Sequence, residues 1–207
     1  MTDRKFISYG LKDFITGRKN ILFVTGYMGS GKSTISKEFA KRYNAKTFSL
    51  DNVFDWNETW VTTTMDTEEQ QLYFQLMKNS GAYRDLGDGI GSYNQAYKTA
   101  SYAEKCAWIM KQAIKDCSRT NRIIIEGVQL YQYDSLFPIY INYPLLIMAL
   151  TSDEAMKSND RRDKEYGLNF FQRLDRRPGN KRYYTNQYSI FSDYLAKVKG
   201  VKGAKNE

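Results

Sequence analysis

Eight residues, Gly26-Tyr27-Met28-Gly29-Ser30-Gly31-Lys32-Ser33, constrain this chain more than any other feature, because they fit G-x-x-x-x-G-K-[ST] at every fixed position. The surroundings suit the pattern. Asn20 to Thr25 reads as a buried strand, apolar without alternation, and Lys32 to Tyr43 carries Ile35, Phe39 and Ala40 at helical spacing. Glycines in such a turn let successive backbone N–H groups converge on one anion, and the helix N-terminus adds the positive end of its dipole. Residues Gly26, Tyr27, Met28, Gly29, Ser30, Gly31, Lys32, Ser33 and Thr34 are therefore expected to cradle phosphates. Lys32 is expected on the β- and γ-phosphates, and the Ser33 hydroxyl on Mg²⁺. The alternative is a glycine turn entering a helix beside an incidental lysine.

Further apolar strands are expected at Lys46 to Leu50, Arg122 to Gly127 and Leu145 to Leu150, with helical segments between them. Apolar strands separated by helices predict an α/β fold with a parallel sheet. The segment 52–119 reads as a mostly helical insert, and all 207 residues as one domain. Within the insert, Asp66-Thr67-Glu68-Glu69 has the form of an N-cap with a capping-box glutamate, opening a helix to about Asn79. Gly81, Gly87, Gly89 and Gly91 read as a break, and Ser92 to about Ser118 as one long helix. Pro178-Gly179 is expected to stop a helix that begins near Phe170, and Asn186 to Lys199 to form a last one.

Composition removes several chemistries. The chain has no histidine, so His-based triads, His zinc sites and His general bases are excluded. Cys106 and Cys117 fall in one predicted helix, about 16 Å apart along its axis, too far to pair with each other. No apolar run approaches the roughly 20 residues of a membrane span, and a soluble, cytoplasmic protein is expected. Basic residues outnumber acidic ones by 31 to 23, and the excess is concentrated at 161–182. Such a segment suits a site that handles polyphosphates, or a nucleic-acid surface.

In open α/β sheets, ligands sit beyond the carboxyl ends of the strands. Asp51 follows the second predicted strand and Glu126 ends the third. The glycine loop, Asp51 in Ser49-Leu50-Asp51-Asn52, and Glu126-Gly127 after an isoleucine strand together resemble the P-loop kinases of small molecules and nucleic-acid ends. That group includes nucleoside and nucleotide kinases, shikimate kinase, polynucleotide 5′-kinases and zeta-toxin-like kinases. The resemblance implies a three-layer P-loop NTPase fold with a parallel sheet and a helical insert. It implies ATP or GTP with Mg²⁺ as cofactors, and Asp51 as the base that takes a proton from the acceptor hydroxyl. Chemically, a carboxylate beside a hydroxyl accepts its proton as the phosphoryl group moves. The alternative for Asp51 is a turn or helix-cap aspartate. Glu126 is a Walker-B-like candidate for Mg²⁺ or acceptor, or a charged strand terminus. Asp55 is a weaker candidate on the same helix face as Asp51. The chain departs from nucleoside monophosphate kinases after its third strand, where Glu126-Gly127-Val128-Gln129-Leu130 lacks their proline and arginine.

The same resemblance places an arginine-rich lid at about 152–182. Arg162 is the favoured member of the Arg161-Arg162 pair, because Arg161 has a helical partner in Glu165. Arg173, Arg176 and Arg177 form a second cluster. Both clusters also suit ordinary surface salt bridges or a helix C-terminus. Trp56 and Trp60 lie just past Asp51, where an acceptor belongs; they and the many tyrosines serve either base stacking or packing. The expected activity is ATP- and Mg²⁺-dependent transfer of a γ-phosphoryl to a hydroxyl of a nucleoside, nucleotide, nucleic-acid end or related metabolite. A nucleic-acid-associated ATPase and a nucleotide-binding module without chemistry are the alternatives.

Overall fold

Every residue of the strand before the glycine loop is buried, so that strand needs cover on both faces. A computed structural model describes residues 6–53, 67–87, 90–150, 153–154, 157, 161 and 170–203, with backbone alone at 67, 85–87, 90–91 and 170–184. Its strands are β1 (Phe6–Tyr9), β2 (Ile21–Gly26), β3 (Ala45–Ser49), β4 (Tyr83–Gly87), β5 (Ile90–Tyr93), β6 (Arg122–Glu126) and β7 (Leu145–Met148). Five of them form the central sheet, in the order β1-β7-β2-β6-β3. β2 runs parallel to β6 and β7, and β3 runs parallel to β6, as the apolar runs predict. β1, absent from the sequence reading, adds an antiparallel edge on β7.

Strand residues alternate between two cores. Leu22, Val24, Ile124, Leu146 and Met148 pack with Phe14 of α1 (Leu11–Ile15) and with Ile35, Phe39 and Ala40 of α2 (Lys32–Tyr43). Ile21, Phe23, Phe48, Ile123, Ile125, Leu145 and Ile147 face the other way. They meet α3 (Thr67–Asn79) through Leu72, Leu76 and Met77, and, beyond α4 (Gln95–Thr99), α5 (Tyr102–Asp116) through Ile109, Met110 and Ala113. The short helices α6 (Gln129–Gln132) and α7 (Phe137–Tyr140) and the long α8 (Phe170–Gly203) join the same side. The result is an α/β structure with a mostly parallel sheet flanked by helices, compatible with three layers. Among the described residues, no helix is long and apolar enough to cross a membrane.

The topology selects one crevice. β2 and β6 are neighbours, yet the chain leaving β2 enters α2 on one face and the chain leaving β6 enters α6 on the other. Their carboxyl ends are therefore the position at which ligands bind in sheets of this kind.

Three expectations are corrected. The segment 92–118 is not one helix: β5, α4 and α5 divide it, and the second break is a capping box at Ser101 and Glu104. The alanine period runs across that break, but the Ser-x-x-Glu cap satisfies the N–H groups that open α5. The glycine-rich stretch is not a mere break but a hairpin, with β4 and β5 antiparallel and Tyr83 opposite Tyr93, so the mostly helical insert also carries a two-stranded sheet. Pro178-Gly179 does not stop a helix, since α8 runs through both. An interior proline costs about 3 kcal/mol, and here burial of Phe191, Tyr194 and Val198 on the core of the sheet sets against it.

Candidate functional site

The glycine loop lies at the carboxyl end of β2. Gly26 has φ +147°, Gly29 +74° and Gly31 +85°, so the backbone turns in a way that side-chain-bearing residues rarely adopt. Gly31 caps α2, whose first residue is Lys32. Tyr27 is fully buried, and its ring meets Tyr188 and Phe191 of α8 at 5.9 and 6.0 Å between centroids. The loop is thus anchored by its second residue to the last helix. Met28 packs at the edge of the same core. Ser30 is buried and its hydroxyl oxygen has no hydrogen-bond partner. Lys32 is only 8% exposed and its Nζ donates to the Tyr27 carbonyl at 3.2 Å. Ser33 and Thr34 are exposed on the first turn of α2.

Two groups 93 residues apart meet beside this loop. Ser33 Oγ donates to Glu126 Oε1 at 2.8 Å. Glu126 is 4% exposed, and its second oxygen, Oε2, has no partner. Burial raises the Glu126 pKa above the usual glutamate value, and the charge of Asp51 adds to this; Lys32 and the Ser33 hydrogen bond work against it. A buried acid with one oxygen unpartnered is costly unless a cation or donor completes it. Among the described residues, no three His, Cys, Asp or Glu side chains gather closely enough to hold a metal. Mg²⁺ suits such a place, because it is commonly held by one or two carboxylates together with substrate phosphates. Ser33 and Glu126 fit that role.

The raised pKa makes a prediction. Folded Glu126 holds its proton to higher pH than unfolded glutamate, so stability falls as pH rises from the ordinary glutamate value through the folded one, and is whole below it. Glu126→Gln removes the ionisation and keeps an acceptor for Ser33. The variant is expected to be more stable than wild type at neutral pH, with the difference shrinking in acid. Urea denaturation at pH values from about 4 to about 8 checks this. A difference that does not change across that range would contradict it.

Asp51 sits in the 3₁₀ turn Leu50–Val53 that follows β3, exposed on one side. Its Oδ1 accepts from Gln129 Nε2 at 2.5 Å. The same Nε2 donates to the Tyr102 hydroxyl at 2.7 Å, and that hydroxyl donates to the Leu50 carbonyl at 2.8 Å. Burial raises the Tyr102 pKa, and the neighbouring Cys106 and Asp51 raise it further. Cys106, one of two free cysteines, is pushed up to about 12 by burial and then by Asp51. The turn itself is held by Glu69 of α3, whose Oε1 accepts from Ser49 N at 2.8 Å and from Asn52 Nδ2 at 2.9 Å.

The structure therefore brings Lys32, Ser33, Glu126 and Asp51 to one end of the sheet, close enough that Lys32 and Asp51 both act on the Glu126 charge. Arg162, Asp55, Trp56, Trp60 and Glu165 lie outside the described residues. Arg161 is exposed and helical, while Arg173, Arg176 and Arg177 are located only by the backbone of α8. Sequence reasoning missed Gln129 and Tyr102, and read Glu69 only as a capping residue. Gln129 did carry a signal: an amide between Val128 and Leu130, three residues after the acidic strand end. No protein-family model and no curated protein matches the chain.

Proposed function

We propose that the chain is a P-loop kinase that transfers the γ-phosphoryl of Mg-ATP to an acceptor hydroxyl. The observation that carries this reading is the 2.8 Å contact between Ser33 and the buried Glu126, at the mouth of a glycine loop that fits G-x-x-x-x-G-K-[ST]. In this reading, the loop amides and Lys32 bind the β- and γ-phosphates. Ser33 and Glu126 would hold the magnesium that arrives with the nucleotide, which draws negative charge from the phosphate oxygens. Asp51 accepts the proton of the acceptor hydroxyl as its oxygen bonds the γ-phosphorus; the bond from that phosphorus to the bridging oxygen breaks and ADP departs. Arg162 and its neighbours are proposed to close over the equatorial oxygens.

The test is transfer of label from γ-labelled Mg-ATP to a panel of nucleosides, nucleotides, 5′-hydroxyl oligonucleotides and nucleotide sugars. Label is expected on one acceptor class for wild type, falling by about 10²- to 10⁴-fold in Asp51→Asn. Label released only as free phosphate, with Asp51→Asn unaffected, would favour an ATP hydrolase and remove Asp51 from the mechanism.

A further inference from the structure

Gln129 is 3% exposed and begins α6, two residues after Gly127. The orientation of its amide follows from its neighbours. The Asp51 carboxylate and the Leu50 carbonyl only accept, so the Tyr102 hydroxyl spends its proton on Leu50 and must itself accept. The amide nitrogen, with two hydrogens, then faces both Asp51 and Tyr102, and both hydrogens are used. Its oxygen lies against Gly127, where a Cβ would overlap Gln129 Oε1 and come within 3.0 Å of Leu50 Cβ. A side chain at 127 would thus push the amide away. An aspartate carboxylate otherwise turns in a broad, roughly two-fold well. Here Oδ1 is tethered by a buried donor, and among the described residues no hydrogen bond reaches Oδ2.

We infer that Gln129 is the positioning residue for Asp51: its amide, set by Tyr102 and Leu50, fixes the carboxylate so that Oδ2 faces the acceptor hydroxyl. This rests on the kinase reading above. Gln129 touches neither nucleotide nor acceptor, and acts only through Asp51. Misplacing a reacting group by about 1 Å costs on the order of 100-fold in rate.

Two readouts test it. In phosphoryl transfer, Gln129→Met is expected to lower kcat by about 10- to 100-fold, with the Kd for Mg-ATP unchanged. Tyr102→Phe removes the acceptor of one amide hydrogen and the donor to the Leu50 carbonyl but leaves the Gln129–Asp51 bond, so it lowers kcat less, by about 2- to 10-fold. Because Tyr102 acts on the Asp51 carboxylate through Gln129, and otherwise only on the Leu50 carbonyl of the same turn, the double variant is slower than Gln129→Met alone by less than the factor Tyr102→Phe costs in wild type. Effects that multiply, or a kcat for Gln129→Met within about twofold of wild type, overturn the inference. The second readout needs no activity: the Gln129 side-chain amide protons, assigned by their loss in Gln129→Met, are followed by NMR. They are expected to exchange slowly and to shift in both Asp51→Asn and Tyr102→Phe. Signals that exchange freely or do not shift overturn the inference, whatever the transfer assay gives. If wild type transfers no phosphoryl group but the amide signals respond, the kinase reading fails and the tether stands.

Discussion

Gly26→Ala is expected to destabilise the fold by about 4 kcal/mol, or roughly 10 °C in Tm, the range of the most damaging single substitutions. Gly26 ends β2 opposite Met148 of β7, at φ +147°. A Cβ there would overlap the Met148 carbonyl oxygen and lie 2.8 Å from Met148 Cβ and 2.9 Å from its N. Two of those three atoms are backbone, so relief requires the central strands to part. Gly81 offers the contrast. Its φ is also positive, +73°, but nothing lies within 4 Å of its would-be Cβ. Gly81→Ala therefore meets only backbone strain, about 1 kcal/mol. Urea denaturation of both variants beside wild type checks this. Equal losses would mean that φ, and not the close approach of β2 and β7, sets the requirement at Gly26.

The second large effect belongs to Lys32. It is buried beside the loop it serves, with its ammonium on the Tyr27 carbonyl. It also lowers the pKa of Glu126, opposing the burial that raises it. On the proposed kinase reading, Lys32→Ala removes two things. One is a charge-assisted contact to phosphate, worth about 10- to 100-fold in Kd. The other is the cation that helps keep Glu126 ionised and, on that reading, able to hold magnesium. Both losses are expected to weaken Mg-ATP binding, while the strand packing that supports the sheet involves neither. The expected variant is folded, with a Kd for Mg-ATP raised by about 100-fold.

The parts of this molecule written in contiguous residues were legible in the sequence. Long apolar runs gave β2, β6 and β7, and the glycine pattern marked the loop between β2 and α2. Asp51 and Glu126 were foreseen at strand ends because strand ends are where parallel sheets place ligands. What escaped depends on pairing at a distance. Asp51 and Gln129 are 78 residues apart, and Tyr102 and Leu50 are 52 apart, so no local pattern couples them. The hairpin of β4 and β5 hid behind its glycines, because the Tyr83 and Tyr93 pairing that defines it is also non-local. The break before α5 was local, since Ser101 and Glu104 spell a capping box, but an alanine repeat running through it imitated continuity. At Pro178 the local rule was outweighed by tertiary packing farther along α8.

Gly26–Ser33, completed by Glu126, is proposed to bind the phosphates of a magnesium nucleotide. Calorimetric titration of ATP, with and without Mg²⁺, into wild type and Lys32→Ala decides this. One-to-one binding to wild type is expected, dependent on Mg²⁺ and weaker by about 100-fold in Lys32→Ala. Absence of binding to folded wild type, or equal affinity in the two proteins, would contradict it.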